Sequence, residues 1–189
     1  MPHSKKIFTT AASGRFFAAV FLLCAMVVAS SAQPPVEEIG FEALKAVNGN
    51  WQTITAKWTV NFHASRPGYL GLADMENHNI DIWIRNNETP QEIAVTLVHE
   101  YAHAFDDQYL NPELRAKWLA ARGVPPETPW YPPCSGCSDF RFGAGDFAES
   151  VSWALQGSNS KFRSRLGTPP NVIQQALIYQ WLSLSASEK

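Results

Sequence analysis

Beyond its first 32 residues the chain has no long apolar run, almost no cysteine and no excess of positive charge. Fifteen lysines and arginines stand against seventeen aspartates and glutamates, for a formal net charge of −2. No basic stripe interrupts that balance, which argues against nucleic acid as a partner. There is no internal repeat and no low-complexity segment, so repeat architectures are set aside. Of the three cysteines, Cys24 lies in the N-terminal segment, and only Cys134 and Cys137 follow it. A cysteine-based zinc site would need a second pair of soft ligands, and the chain offers none. A redox C-x-x-C belongs at a helix start, whereas this one sits among prolines. In a secreted chain the pair reads as a small disulfide loop.

The N-terminus has the parts of a secretory leader. Lys5, Lys6 and Arg15 form a basic region, Phe16 to Ala29 is apolar, and Ser30-Ser31-Ala32 supplies small residues for cleavage. The expectation is a signal peptide over residues 1–32 and a single domain over 33–189. The apolar run is short for a span, so no stable membrane segment is expected after cleavage. The leader carries no acidic residue, so its removal makes the remainder more acidic. A chain of this length with seven tryptophans can build a real core.

The chemistry is concentrated in Thr96-Leu97-Val98-His99-Glu100-Tyr101-Ala102-His103-Ala104-Phe105-Asp106-Asp107. His99 and His103 are four apart, which on a helix puts them on one face. Two imidazoles aimed at one ion, with Glu100 beside them as general base, form the zinc-metallopeptidase pattern H-E-x-x-H. The helix is well signalled. Thr89-Pro90-Gln91-Glu92 reads as a capping box with proline at the first helical position, and nothing breaks the pattern before Asn111-Pro112.

Around that helix the pattern predicts an α+β fold. A helix is expected over Glu37–Asn48, then a strand within Trp51–Phe62, a second over Tyr69–Ala73 and a third over Ile80–Ile84. These form a small antiparallel or mixed sheet, with Ile80–Ile84 as the candidate edge beside a peptide-binding cleft. Asn111-Pro112 opens a further helix closed by Gly123. Val124–Gly143 is a long proline-rich and aromatic loop, suited to be a wall or lid of the cleft. Tyr131 within it is a candidate hydroxyl donor to a reaction intermediate. Gly143-Ala144-Gly145 reads as a flexible approach to a helix starting at Asp146, and an amphipathic helix after Pro169-Pro170-Asn171 closes the chain.

A catalytic zinc needs a third protein ligand. His63 and His78 precede the motif, so the helix bearing Asp146 and Glu149 is the better source. His-Glu-Tyr-Ala-His-Ala-Phe-Asp-Asp-Gln-Tyr-Leu, followed some forty residues later by Asp-Phe-Ala-Glu, resembles gluzincin metallopeptidases. The similarity is to the small bacterial ones related to the catalytic domain of anthrax lethal factor, over Thr89 to Leu155. The resemblance implies a zincin-like fold, zinc, a peptide or protein substrate and export from a bacterial cell. It also implies a third ligand on the downstream helix and an acid one turn later that braces a histidine. The position matching that ligand is Gly145, which cannot bind metal. Either Glu149 is the ligand with Asp146 as brace, or Asp146 is the ligand with Glu149 behind it; the longer side chain favours Glu149. Asp106 is a candidate acceptor from a ligand imidazole or a nearby backbone group. The alternative to an enzyme is a secreted module that keeps zinc for structure or binding alone.

Overall fold

The structure, a computed structural model, describes residues 34–134, 137–157 and 161–183. The expected leader lies outside them. Over the described part the fold is α+β, with a three-stranded mixed sheet and several helices. No helix among the described residues is long and apolar enough to cross a membrane.

Helix α1 spans Val36–Ala46 and buries its small residues, Gly40 and Ala43. The lack of a side chain at Gly40 is what admits the Phe62 ring, since a Cβ there would collide with it. The strand expected from Trp51 begins later. Gln52–Thr55 is a helical turn, α2, and strand β1 covers Thr59–Ala64. The reason is spacing: Trp51, Ile54 and Trp58 are buried at intervals of three and four, a helical period, and the period-two alternation starts only after them.

Strand β2 covers Gly71–Asp74 and β3 covers Asn79–Ile84. The turn between them is held by Asp74, whose carboxylate accepts from the backbone N–H groups of Glu76 and Asn77. Strand order is β1-β3-β2, with β3 parallel to β1 and antiparallel to β2. This corrects the expected edge. Ile80, Ile82 and Ile84 are nearly inaccessible on a fully apolar inner face, as befits a strand paired on both sides, and the edge falls to β2.

Helix α3, Pro90–Tyr109, runs through the middle of the domain. Its capping box forms as expected, with Glu92 N–H donating to Thr89 Oγ1 at 3.3 Å and Thr89 N–H to Glu92 Oε2 at 2.8 Å. Every residue from Thr96 to Asp106 is buried, because the sheet and α1 pack on it and so does the later helix Gly143–Gln156. Side chains such as Leu97 and Phe105, each with no exposed area, contribute roughly 1.5–3 kcal/mol apiece.

Helix α4, Pro112–Arg122, starts on an Asn111 cap and ends on Gly123 at φ 67°. Helix α5 covers Gly143–Gln156, so Gly143-Ala144-Gly145 is its buried first turn and not a flexible approach. Its leading N–H groups find fixed acceptors: Gly143 donates to the Pro129 carbonyl at 3.0 Å and Ala144 to that of Trp130 at 2.8 Å. That pairing replaces a side-chain cap. Helix α6, Val172–Leu182, is capped by Asn171. It buries Gln174, Ile178 and Trp181, whereas Val172 and Ile173 at its start are exposed.

Candidate metal centre

Helix α3 presents His99 and His103 toward the loop before α5, and both imidazoles are buried. The third group comes from that loop. Asp139 Oδ2 lies 2.8 Å from His103 Nε2 and 3.1 Å from His99 Nε2, and the two Nε2 atoms are 3.2 Å apart. Among the described residues these three form a group able to hold a metal ion.

The spacing tests the fit. Tetrahedral zinc with bonds of about 2.0–2.1 Å keeps its donors roughly 3.3 Å apart, and the three edges here are close to that. Protons alone serve this triangle badly. One carboxylate oxygen faces two ring nitrogens that also face each other, so one shared cation satisfies all three contacts where a proton satisfies one. With only protons to share, burial opposes charge on His99, but Asp139 and then Glu149 outweigh it and push the imidazole up to about 10. Burial works against the Asp139 carboxylate too. Hydrogen bonds from His103 and His99 overcome it and hold the acid well below its usual range.

Neither acid expected to complete the set does so. Glu149 Oε2 takes the opposite nitrogen of His99, Nδ1, at 3.0 Å. That contact orients the ring and fixes Nε2 toward the triangle. Asp146 is fully buried away from it. Arg122 gives it a two-pronged ion pair at 2.8 and 2.9 Å, and Trp118 Nε1 donates at 2.9 Å. Asp106 makes no hydrogen bond to His99 or His103 among the described residues. It accepts from Arg115 Nε at 2.9 Å, Trp130 Nε1 at 2.8 Å and the Tyr131 hydroxyl at 3.0 Å, tying the proline-rich loop to α3. The Tyr131 hydroxyl is thereby engaged, and burial together with the Asp106 charge pushes its pKa up. Of the two other histidines among the described residues, His63 pairs with Asp81 on the sheet and His78 packs on Trp58.

Nothing in its local spacing marks Asp139 in the sequence. Its signals are indirect: a glycine where the resembling family has its ligand, and an acid two residues beyond a disulfide. Cys134 and Cys137 are joined, with Cα atoms 5.5 Å apart. Cys134, Tyr131, Pro132 and Phe140 form one wall of a cleft of about 320 Å³, and β2 forms the facing wall.

Glu100 lies in the same cleft, 6% exposed. Burial raises its pKa, with His99 and His103 pulling the other way. Its carboxylate sits against Gly71 of the edge strand, where any Cβ would collide with it. A buried carboxylate shifted upward, next to a possible cation site, has the character of a general base. No protein-family model matches the chain, and no curated protein or solved structure does either.

Proposed function

We propose that this protein is a zinc-dependent metallopeptidase of zincin-like, gluzincin-related build, exported to an oxidising compartment. His99, His103 and Asp139 hold the ion, and Glu149 steadies His99 from behind. The observation that carries this reading is the triangle of two Nε2 atoms and Asp139 Oδ2, with Glu100 in the same cleft.

Zinc in such a set supplies Lewis acidity at near-neutral pH. The chain's own residues do the rest. Glu100 takes a proton from the attacking water and returns it to the leaving amine. The narrow space between α3 and β2 holds that carboxylate in one place and limits the water around it. Edge strand β2 lines the cleft with an open backbone edge, which suits an extended peptide. The disulfide and the leader-like N-terminus support export.

Elemental mass spectrometry of the full chain tests the site. One zinc per chain is expected in wild type and in Glu100→Gln, with loss in His103→Ala and in Asp139→Ala. Labelled casein is then the first substrate, cleaved by wild type and not by Glu100→Gln. Zinc retained in Asp139→Ala would remove that ligand. Zinc without any hydrolysis would favour a binding module over an enzyme.

A further inference from the structure

The arginines that meet buried carboxylates are not held alike. Every nitrogen of the Arg122 guanidinium is engaged: two bonds go to Asp146, one of 3.1 Å to Gln174 and one of 2.8 Å to the Thr168 carbonyl. Arg163 is loosely held. Its Nε and Nη2 lie 3.3 and 3.4 Å from the Glu149 oxygens, and Nη1 makes no hydrogen bond among the described residues. Glu149 has closer partners than that side chain, namely the Arg163 backbone N–H at 2.7 Å and His99 Nδ1 at 3.0 Å.

The Arg163 guanidinium lies over the Phe140 ring, 4.8 Å from its centre, and the side chain is 22% exposed. It forms part of the cleft wall together with His99 and Glu100. Among the described residues lining that cleft it is the only lysine or arginine. A planar cation with spare N–H groups, set in a half-dry wall, is suited to grip a carboxylate in paired fashion. Its position separates two possible tasks. Glu149 stands between the guanidinium and His99, so the cation is a side chain removed from the ligand nitrogens. An extended peptide carries the residue next to the scissile bond about 3.5 Å along the chain from it, so a cation set back behind Glu149 is suited to a carboxylate on that neighbour and not to the scissile carbonyl.

We infer that Arg163 is a substrate-binding residue that selects peptides bearing a carboxylate beside the scissile bond. This rests on the metallopeptidase reading. The carboxylate has two possible sources, a free C-terminus or an acidic side chain.

The test uses the full chain loaded with cobalt(II), whose visible spectrum reports ligands without turnover. Two matched probes are titrated: butyrohydroxamic acid, and the monohydroxamic acid of succinic acid, which adds one carboxylate. Wild type is expected to bind the succinic probe at least tenfold more tightly. Arg163→Met should bind both alike at unchanged cobalt content, and Arg163→Lys, which keeps a charge against Glu149 should the methionine variant not fold, should retain a few-fold preference. Equal affinities in wild type, or full discrimination in either variant, would overturn the inference. Peptide pairs then name the source: free C-terminus against amide, and aspartate against asparagine between blocked ends. The discriminating pair should differ in KM and not in kcat. If neither pair is discriminated, the inference fails even with the metal reading intact. If wild type takes up no cobalt or zinc, the metal reading itself fails and this inference with it.

Discussion

Gly145 lies directly beneath the Asp139 carbonyl, and a Cβ at that position would collide with it. The glycine at the position where the resemblance places a helix-borne ligand is thus the residue that lets Asp139 approach the two imidazoles. Gly145→Ala should raise the helix propensity of α5 yet push Asp139 outward. A misplacement near 1 Å costs about 100-fold in rate. We expect zinc affinity and hydrolysis to fall together while circular dichroism stays native. Unchanged zinc binding would show that the loop has slack.

Gly71 bears on Glu100 in the same way from the other wall. Its backbone is not in the left-handed region, so alanine is tolerated conformationally and the effect is one of space. Gly71→Ala should leave zinc stoichiometry at wild-type level and cut kcat by at least the 10²–10⁴-fold that a displaced acid–base group costs. Paired measurement of metal content and turnover checks it. A loss of zinc in place of kcat would relocate the role of Gly71 to the ligands.

Asp106 joins α3 to the cleft wall through Arg115, Trp130 and Tyr131. Asp106→Ala strands a partly buried guanidinium and two donors. Removing one member of a buried pair costs about 3–5 kcal/mol, toward the low end here because Arg115 keeps some exposure. Urea unfolding should show that loss, and Arg115→Met in the same background should recover part of it.

The Thr89–Glu92 box gives a pH signature on the motif helix. Hydrogen bonds from the Thr89 backbone and hydroxyl lower the Glu92 pKa. A carboxylate depressed in the folded state stabilises above its unfolded pKa and loses that contribution as pH falls through the folded value. The stability difference between wild type and Glu92→Gln should therefore be constant at neutral pH and shrink in the acid range below about 4.3. A difference that holds steady into strong acid would show that the ionised carboxylate is not the stabilising form.

Cys134 and Cys137 bracket the approach to Asp139. A loop so short constrains the unfolded chain little, on the order of 2 kcal/mol. In Cys134→Ser/Cys137→Ser the larger effect should be on zinc affinity, read by chelator competition. Equal affinity with and without the bond would confine its role to stability.

What the sequence disclosed was local. Thr89, Pro90 and Glu92 fixed the start of α3, and the four-residue step from His99 to His103 fixed their common face. Those relations are short-range and survive any tertiary arrangement. Asp139 stands on a loop two residues past a disulfide, packed against the bare backbone of Gly145, in a segment whose carbonyls receive the first N–H groups of α5. All three are settled by packing. The same holds for β3, whose alternation announces a strand but does not say whether one neighbour or two will pair with it. Glu149 was legible as part of the site through the Asp-Phe-Ala-Glu resemblance, yet only packing shows that it meets Nδ1 and leaves Nε2 to others. Arg163, beyond the helices that carry the motif, had no local mark at all.

Two donors ride on the buried middle of a long helix, and the third on a partly exposed loop. An ion held among them would exchange through the loop and not through the helix. Its escape rate would follow a local opening, with a barrier well below that of global unfolding. Chelator-driven release should accordingly be far faster than denaturation. It should quicken when the Asp106 anchor or the Cys134–Cys137 bond is removed, even where the overall fold persists.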